Sequence, residues 1–478
     1  MLPATTVRHR LPALITVIGL ALGLALGLVF GSSSAIAAEQ RNDSGYTTHD
    51  VSFENDGLTL HGTVLVPSTG ASRHPAVVIV AGSGARERED YLDEARAFAT
   101  SGIVTLIYDK RTVGYSLTER SYSQLADDAI AGLRLLQARL DVDPARAGLW
   151  GHSEGGWVVP LAVATHADVG FVVIAGASAH PPAEVQAWSN CRYLVHAGFP
   201  ERMCAPVGVN LTRLMVASGL FPEAGHDPLP VLAQVRAPAL VLLAEFDRST
   251  APATSGSRFA TALGDSPDAT VCVVPRADHE FRASSNGFDE SERVAAGYLQ
   301  LAPAWIIALD GGSFDCPSDV VAQQIGAPES LSPLAWYESV PMQAAAAAVM
   351  LVAFLSYPVW ALVRRSRGRR GTPPAARSAR LVSAAGLVSL LATMCLLGYL
   401  TATGATEPIG PVVLGRPLVW LAVQVLALVV VTAAAWTAIA WWRARDRVAA
   451  GDHVRLIMLL IGATVFVPWA AWWGLFTV

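Results

Sequence analysis

Charged residues are scarce in this chain of 478 residues: they make up 15% of it, against 52% hydrophobic residues, and the mean hydropathy is +0.40. That balance excludes an ordinary soluble protein, yet the charges that remain are too many for a bare bundle of membrane helices. Lysine is all but missing, since Lys110 is the one lysine among 34 basic residues. Basic residues are also lacking where a nucleic-acid partner would need them. Residues 39–340 carry 36 acidic groups against 20 basic ones, a net of −16, while the remainder carries 14 arginines against Glu407, Asp446 and Asp452, a net of +11. An acidic body cannot replace phosphate counterions, so no nucleic acid is expected as a partner. Neither a CxxC pair nor a His-x-Glu-His pattern occurs, so no metal site is expected and no cofactor is implied. Internal repeats are absent as well.

What the sequence does have is long apolar runs in separate places. Arg8-His9-Arg10 precedes an uncharged run from Leu11 to Phe30 and then small residues at Ala35 and Ala37, the pattern of an export signal over residues 1–38. It reads as a cleaved signal peptide or an N-terminal anchor, because the run is nearly the ~20 residues that span a bilayer. Four further runs, about Met342–Val363, Leu381–Thr401, Leu418–Trp442 and Leu456–Val478, are each long enough to cross. None contains Asp, Glu, Lys, Arg or His, which argues against an ion or proton pathway. The first connecting loop carries seven arginines and no acid, and the third carries four arginines. Basic loops stay cytoplasmic, which puts residues 39–340 outside, as the export signal also requires. Trp441, Trp442, Trp472 and Trp473 fit an aromatic belt. Four cysteines fall in the exported part, where disulfides form. Sequence order suggests Cys191 with Cys204 and Cys272 with Cys316, one of three pairings, with free thiols as the alternative.

Between Val51 and Pro67 the residues alternate around Asn55-Asp56-Gly57, a hairpin signature. Then six strand-length apolar runs alternate with helical stretches, as in PAVVIVAG, GIVTLIYD and APALVLLAEFD. Strands of that kind belong to a mostly parallel sheet covered by helices on both faces, an α/β body over residues 39–312. The connection between Ala179 and Ala237 exceeds what a crossover needs and reads as a helical lid over about 180–237. Residues 313–340, with scattered Pro and Gly, read as a connector to a four-helix transmembrane domain over 341–478.

Gly151-His152-Ser153-Glu154-Gly155 is a G-x-S-x-G between a strand and a helix, a context in which a sharp turn lifts the serine hydroxyl to a helix N-terminus. Such a serine needs a histidine base, and the histidine needs a carboxylate to fix its tautomer. His279 and Asp247 both follow predicted strands and lie in the order serine, acid, histidine. Glu245, still inside its apolar run, is the second candidate acid. An anionic intermediate needs two N–H donors, expected at Glu154 and, in Ala81-Gly82-Ser83-Gly84, at Ser83 with Gly84 next.

Taken together, GLTLHGTVLVP, VIVAGSGARERED, IVTLIYDKRTVGYS, DVDPARAGLWGHSEGG, LVLLAEFD and RADHEF resemble the α/β-hydrolase superfamily, in its dienelactone-hydrolase and bacterial serine-esterase branch, over about Gly57–Asp310. The resemblance implies Ser153 as nucleophile, Asp247 and His279 as its partners, Ser83 and Glu154 as oxyanion donors, and a lid before the strand leading to Asp247. Ala81 stands where many relatives have His, and Thr112 where they often have Gly. Asp109 and Arg111 are expected to brace the loops as an ion pair. The expectation is therefore a multi-pass cell-membrane serine hydrolase, its hydrolase domain extracytoplasmic, cleaving a small-molecule or lipid-like ester. A prolyl-oligopeptidase-like peptidase, a thioesterase and a non-catalytic membrane sensor are the alternatives, the peptidase disfavoured by the short stretch before the hairpin. The apolar lid, with Trp188, Tyr193, Leu194, Phe199, Leu214, Met215, Leu220 and Phe221, suggests an acyl group that is apolar. The alternative is that these residues pack the lid onto the sheet.

Overall fold

The structure, a computed structural model, describes residues 45–477 except 69, 71, 117, 167, 267, 290, 317–318, 369–374, 405 and 407–408. The expected export signal, over residues 1–38, lies outside the described residues. The hairpin pairs β1 (Tyr46–Asn55) with β2 (Leu58–Pro67), Asn55 opposite Leu58. Asp56 and Gly57 between them both have positive φ, as the tightest hairpin turn demands. Six strands follow: β3 (His74–Val80), β4 (Val104–Tyr108), β5 (Val142–His152), β6 (Val172–Ala175), β7 (Ala239–Ala244) and β8 (Thr270–Val274). The eight form one sheet in the order β1-β2-β4-β3-β5-β6-β7-β8, with β2 antiparallel to β4 and every pairing from β4 to β8 parallel. Strands such as β3, buried at every residue, need helices on both faces. One face receives α1 (Leu92–Thr100), the other α2 (Tyr122–Gln137) and α3 (Gly155–Thr165). The chain order reverses on either side of β3, and ligands of open α/β sheets bind beyond the carboxyl ends of the strands at such a reversal.

Between β6 and β7 the lid contains α4 (Pro182–His196), α5 (Asn210–Ala217) and the one-turn α6 (Leu229–Leu232). After β7, α7 (Pro252–Ala262) and α8 (Tyr298–Ala308) complete the α/β body. Both suggested disulfides form, Cys191–Cys204 within the lid and Cys272–Cys316 between β8 and the connector. The connector is mostly exposed but is tied to the body at points: Trp188 Nε1 donates to the Ile325 carbonyl at 3.0 Å, and Arg248 Nη1 to the Gln323 carbonyl at 2.6 Å.

The four apolar runs are α9 (Val340–Ser366), α10 (Ala376–Thr403), α11 (Leu418–Ala444) and α12 (Ala450–Trp472), each long and apolar enough to cross a membrane. The last begins six residues before its apolar run, because Asp452 at its start pairs with Arg364 at 2.5 Å and Arg455 donates to the Tyr357 carbonyl at 2.8 Å. It stops at Trp472, where Gly474 takes a positive φ and the Leu475 N–H returns to the Ala470 carbonyl at 2.8 Å. Trp473 accordingly leaves the expected aromatic belt and is buried, while Trp442 remains exposed.

The lid rests on these helices. Leu194, Phe199, Met203 and Val207 share one apolar core with Trp420 and Leu475, and the Phe199 and Trp420 rings meet edge to face at 5.5 Å. Asn210 Nδ2 adds a hydrogen bond to the Trp472 carbonyl at 3.2 Å. The lid also packs onto the α/β body, through Leu232 and Val235 in the core of the sheet and through Val185 and Trp188 with Ala251 and Trp157.

The turn that carries Ser153 depends on two close backbone approaches. A Cβ on Gly151 would lie 2.3 Å from the Gly155 carbonyl oxygen, and one on Gly155 would lie 2.4 Å from that of Val80. Both obstacles are backbone and cannot rotate away. Gly155→Ala is expected to lower stability by roughly 1–3 kcal/mol, read as a fall in Tm of the detergent-solubilised protein; an unchanged Tm would mean that α3 can draw back from β3.

Candidate active site

β5 ends at His152 and α3 begins at Gly155, so Ser153 and Glu154 form the whole connection. Ser153 sits at φ +53°, a left-handed conformation that a non-glycine residue adopts at a cost, fixed by its N–H donating to the Ala175 carbonyl at 2.9 Å. Its hydroxyl lies 3.0 Å from His279 Nε2, and His279 Nδ1 lies 2.9 Å from Asp247 Oδ2. Asp247 is fully buried and accepts three further bonds, from the N–H groups of Ser249 and Thr250 and from the Thr250 hydroxyl at 2.5 Å. The three residues, 94 and 32 positions apart along the chain, meet because β5, β7 and β8 end on the same edge of the sheet. Glu245 is not part of this chain: its Oε2 accepts the Arg276 N–H at 2.7 Å and braces the loop leading to His279.

The electrostatics follow from that burial. Desolvation disfavours an imidazolium at His279, but the adjacent Asp247 carboxylate more than offsets it, with Glu280 and Asp278 adding to the effect, and the pKa rises to about 9. Burial likewise opposes ionisation of Asp247, and His279 and the three donors hold its carboxyl below the usual range. His152 is buried and its pKa is lowered, so it stays neutral. Its Nε2 lies 3.0 Å from the His279 carbonyl, which assigns the proton to that nitrogen and leaves Nδ1 to accept from the Tyr91 hydroxyl at 3.3 Å. His152 thereby holds the backbone of His279.

The loop after β3 faces Ser153. The Gly82 N–H donates to the Tyr91 hydroxyl at 2.8 Å and the Gly84 N–H to the Tyr115 hydroxyl at 3.0 Å. Among the described residues the N–H groups of Ser83 and Glu154 have no such partner. Arg86 Nε donates to the Ser83 carbonyl at 3.1 Å, which holds the next peptide, the one that carries the Gly84 N–H. Ser83, Ser153, Glu154 and His279 line one cleft of about 260 Å³.

A buried ionic cluster beneath the cleft was not evident from sequence. Lys110 Nζ donates to Glu154 Oε1 at 2.6 Å, to the Gly82 carbonyl at 2.6 Å and to the Tyr115 hydroxyl at 3.0 Å. Tyr115 donates to the same carboxylate oxygen at 2.7 Å, and Arg120 pairs with the other. Burial opposes the Glu154 carboxylate, yet Lys110 and Arg120 hold its pKa below the ordinary value. The one available signal was the solitary lysine itself. Asp109 and Arg111 do not pair with each other as expected: Asp109 binds Arg88 at 2.7 Å and Arg111 binds Asp128 at 2.6 Å, because the two side chains leave the end of β4 toward different layers.

A model of the prolyl oligopeptidase family matches residues 116–301. An uncharacterized protein of Mycobacterium tuberculosis, found in two strains, is 32% identical over 225 residues, 47% of this chain and 69% of its own length. Among solved structures, a hyperthermophilic esterase from Pyrobaculum calidifontis aligns with 19% identity over 55% of this chain and 84% of its own, at a TM-score of 0.41. A putative dienelactone hydrolase from Klebsiella pneumoniae aligns with 15% identity over 55% and 97%, at a TM-score of 0.39.

If Asp247 is what raises His279, removing its charge must lower the titration, since burial then acts without a counterweight. In ring-proton NMR, His279 is expected to titrate near 9, and Asp247→Asn to bring it below the ordinary histidine value of about 6.5. Glu245→Gln is expected to move it far less. A larger shift in the Glu245 variant would reverse the assignment of the carboxylate partner.

Proposed function

Because the chain belongs to the α/β-hydrolase superfamily and shares a family with the mycobacterial protein, we propose that it is a membrane-anchored serine hydrolase that cleaves carboxylic esters through an acyl-enzyme. The observation that carries this reading is the hydrogen-bonded chain from Ser153 through His279 to Asp247. In the proposed mechanism His279 Nε2 takes the proton of Ser153 as its oxygen attacks the ester carbonyl carbon. The resulting oxyanion is held by the N–H groups of Ser83 and Glu154, the second at the positive end of α3. Collapse expels the alcohol, which receives the proton from His279, and a water activated by the same nitrogen then releases the acid. Asp247 keeps the His279 proton on Nδ1 and stabilises the imidazolium between the two transfers.

Lys110 is a positioning residue in this scheme. By binding both the Gly82 carbonyl and the Glu154 carboxylate it ties the two donor peptides to one ammonium. The proposed orientation is extracytoplasmic for the hydrolase domain, supported by the seven arginines from Arg364 to Arg380, at the end of α9, in the loop after it and at the start of α10, and by the two disulfides among residues 191–316. The prolyl oligopeptidase match favours a peptidase as the second reading. The acid-base sequence is the same for either bond, so substrate profiling separates them.

Purified full-length protein is expected to hydrolyse p-nitrophenyl esters and to be labelled by a fluorophosphonate, with peptide amides and thioesters slower. Ser153→Ala should remove hydrolysis and labelling and leave the fold intact. Labelling of that variant would falsify the nucleophile. Only the neutral imidazole accepts a proton, so kcat/KM should climb with pH and level off above about 9. A plateau already reached at pH 7 would contradict the raised pKa.

Orientation has its own test, in a background where the unpaired Cys395 is replaced and both disulfides are kept. In intact cells an impermeant thiol reagent is expected to label Ser257→Cys, on the exposed face of α7, and to spare Ser366→Cys at the end of α9. The opposite pattern inverts the topology.

A further inference from the structure

The cleft over Ser153 does not end at the catalytic residues. Ser83, Arg120, Gln186, Phe221 and Gly404 line it and also line a second cavity, of about 370 Å³, so the two are contiguous. Beyond the polar junction at Arg120 and Gln186 the second cavity is walled mainly by apolar groups from two sources. Leu211, Met215, Leu220 and Phe221 come from the lid, and Leu400 and Ala402 come from the last turn of α10. One wall is therefore the end of a helix long enough to cross the membrane.

The cavity borders the seat of the lid, since Leu194 and Val207 line both and Leu211 packs against the same core, but Met215, Leu220 and Phe221 are not part of that seat. Leu194, Phe199 and Met203 are almost fully buried against the membrane helices, whereas Leu220 is 49% exposed at the cavity and Met215 and Phe221 are partly exposed. An apolar side chain left open beside a buried core has not been used for packing. Here three of them, Met215, Leu220 and Phe221, face a cavity that starts at the proposed oxyanion donor Ser83. The seat also fixes where the mouth lies, since the Phe199–Trp420 contact and the Asn210 bond to Trp472 hold the lid against the non-arginine ends of α11 and α12.

We propose that this second cavity binds the acyl chain of a fatty ester taken from the bilayer in which the protein resides. The proposal rests on the serine-hydrolase reading above and names its substrate class. The ester carbonyl lies at Ser83, Ser153 and Glu154. The chain extends past Gln186 and Phe221 between α5 and the end of α10, and the fatty ester enters along α10 without crossing water.

The test uses full-length protein in lipid nanodiscs and p-nitrophenyl esters from acetyl to decanoyl. Each methylene that enters the cavity should raise kcat/KM by roughly three- to fourfold until the cavity is full, giving an octanoyl-to-acetyl ratio well above ten. Met215→Trp and Ala402→Trp fill the cavity from opposite walls and should each lower that ratio at least tenfold, with unchanged Tm showing that the bundle and lid remain assembled. A wild-type preference for acetyl, or a ratio that neither variant moves, overturns the acyl cavity. Loss of hydrolysis of every ester, together with absent fluorophosphonate labelling, overturns the serine-hydrolase reading instead. The source of the chain is read with 4-methylumbelliferyl palmitate. Hydrolysis when the ester shares the protein's nanodisc, and little when it is confined to separate nanodiscs, supports entry from the bilayer. Equal rates in the two arrangements overturn that route.

Discussion

The Glu154 carboxylate is buried to 1% exposure one residue after the candidate nucleophile, and the geometry around Ser153 depends on its ionic partners. A charge in that position is tolerated only when paired, and here Lys110 and Arg120 bring two cations while Tyr115 adds a hydroxyl. The four residues come from two places: Lys110, Tyr115 and Arg120 from the loop after β4, and Glu154 from the turn before α3. Removing one partner of a buried pair typically costs about 3–5 kcal/mol, because the other charge is left uncompensated, so the cluster ties those segments to one another. Lys110 reaches further, to the Gly82 carbonyl, and so the loop after β3 is registered against the same point. A single ammonium thus sets the spacing between the two peptides whose N–H groups face the cleft.

His152 and Tyr91 do for the histidine loop what Lys110 does for the donors. Between them they connect Gly82, at one side of the cleft, to the His279 backbone at the other. All of these contacts run below Ser153, on the sheet side. The side above belongs to the lid, whose position is decided elsewhere, by apolar contact with α11 and the end of α12. The site is therefore built from a polar floor referenced to the sheet and a cover referenced to the membrane helices.

Much of this was legible in the sequence, for identifiable reasons. Ser153, Asp247 and His279 could be named because each follows a continuous apolar strand, and parallel topology places all such strand ends together. The choice of Ser83 over Gly84 is consistent with the structure, in which the Gly84 N–H is already engaged by Tyr115. The four membrane helices were visible from length alone, but their ends were not, since Asp452 and Arg455 are admitted to α12 by partners on α9 that no local pattern reveals. For the same reason the partner of Glu154, 44 residues upstream, and those of Asp109 and Arg111 stayed hidden: ion pairs depend on tertiary placement, which has no period. The lid was recognised by its excess length, yet its seat on Trp420 lies more than 200 residues downstream.

That distance along the chain bears on biosynthesis. Trp420, Trp473 and Leu475, which receive Leu194, Phe199 and Met203, are made after the α/β body with its hydrogen-bonded Ser153, His279 and Asp247. A nascent chain can complete the sheet and close both disulfides before α11 exists, but it has nowhere to set the lid. The cleft acquires its cover, and the second cavity its far wall, only once the membrane helices have been inserted and packed. A chain cut after the α/β body would keep Ser153, His279 and Asp247 together while leaving the apolar underside of its lid open to water.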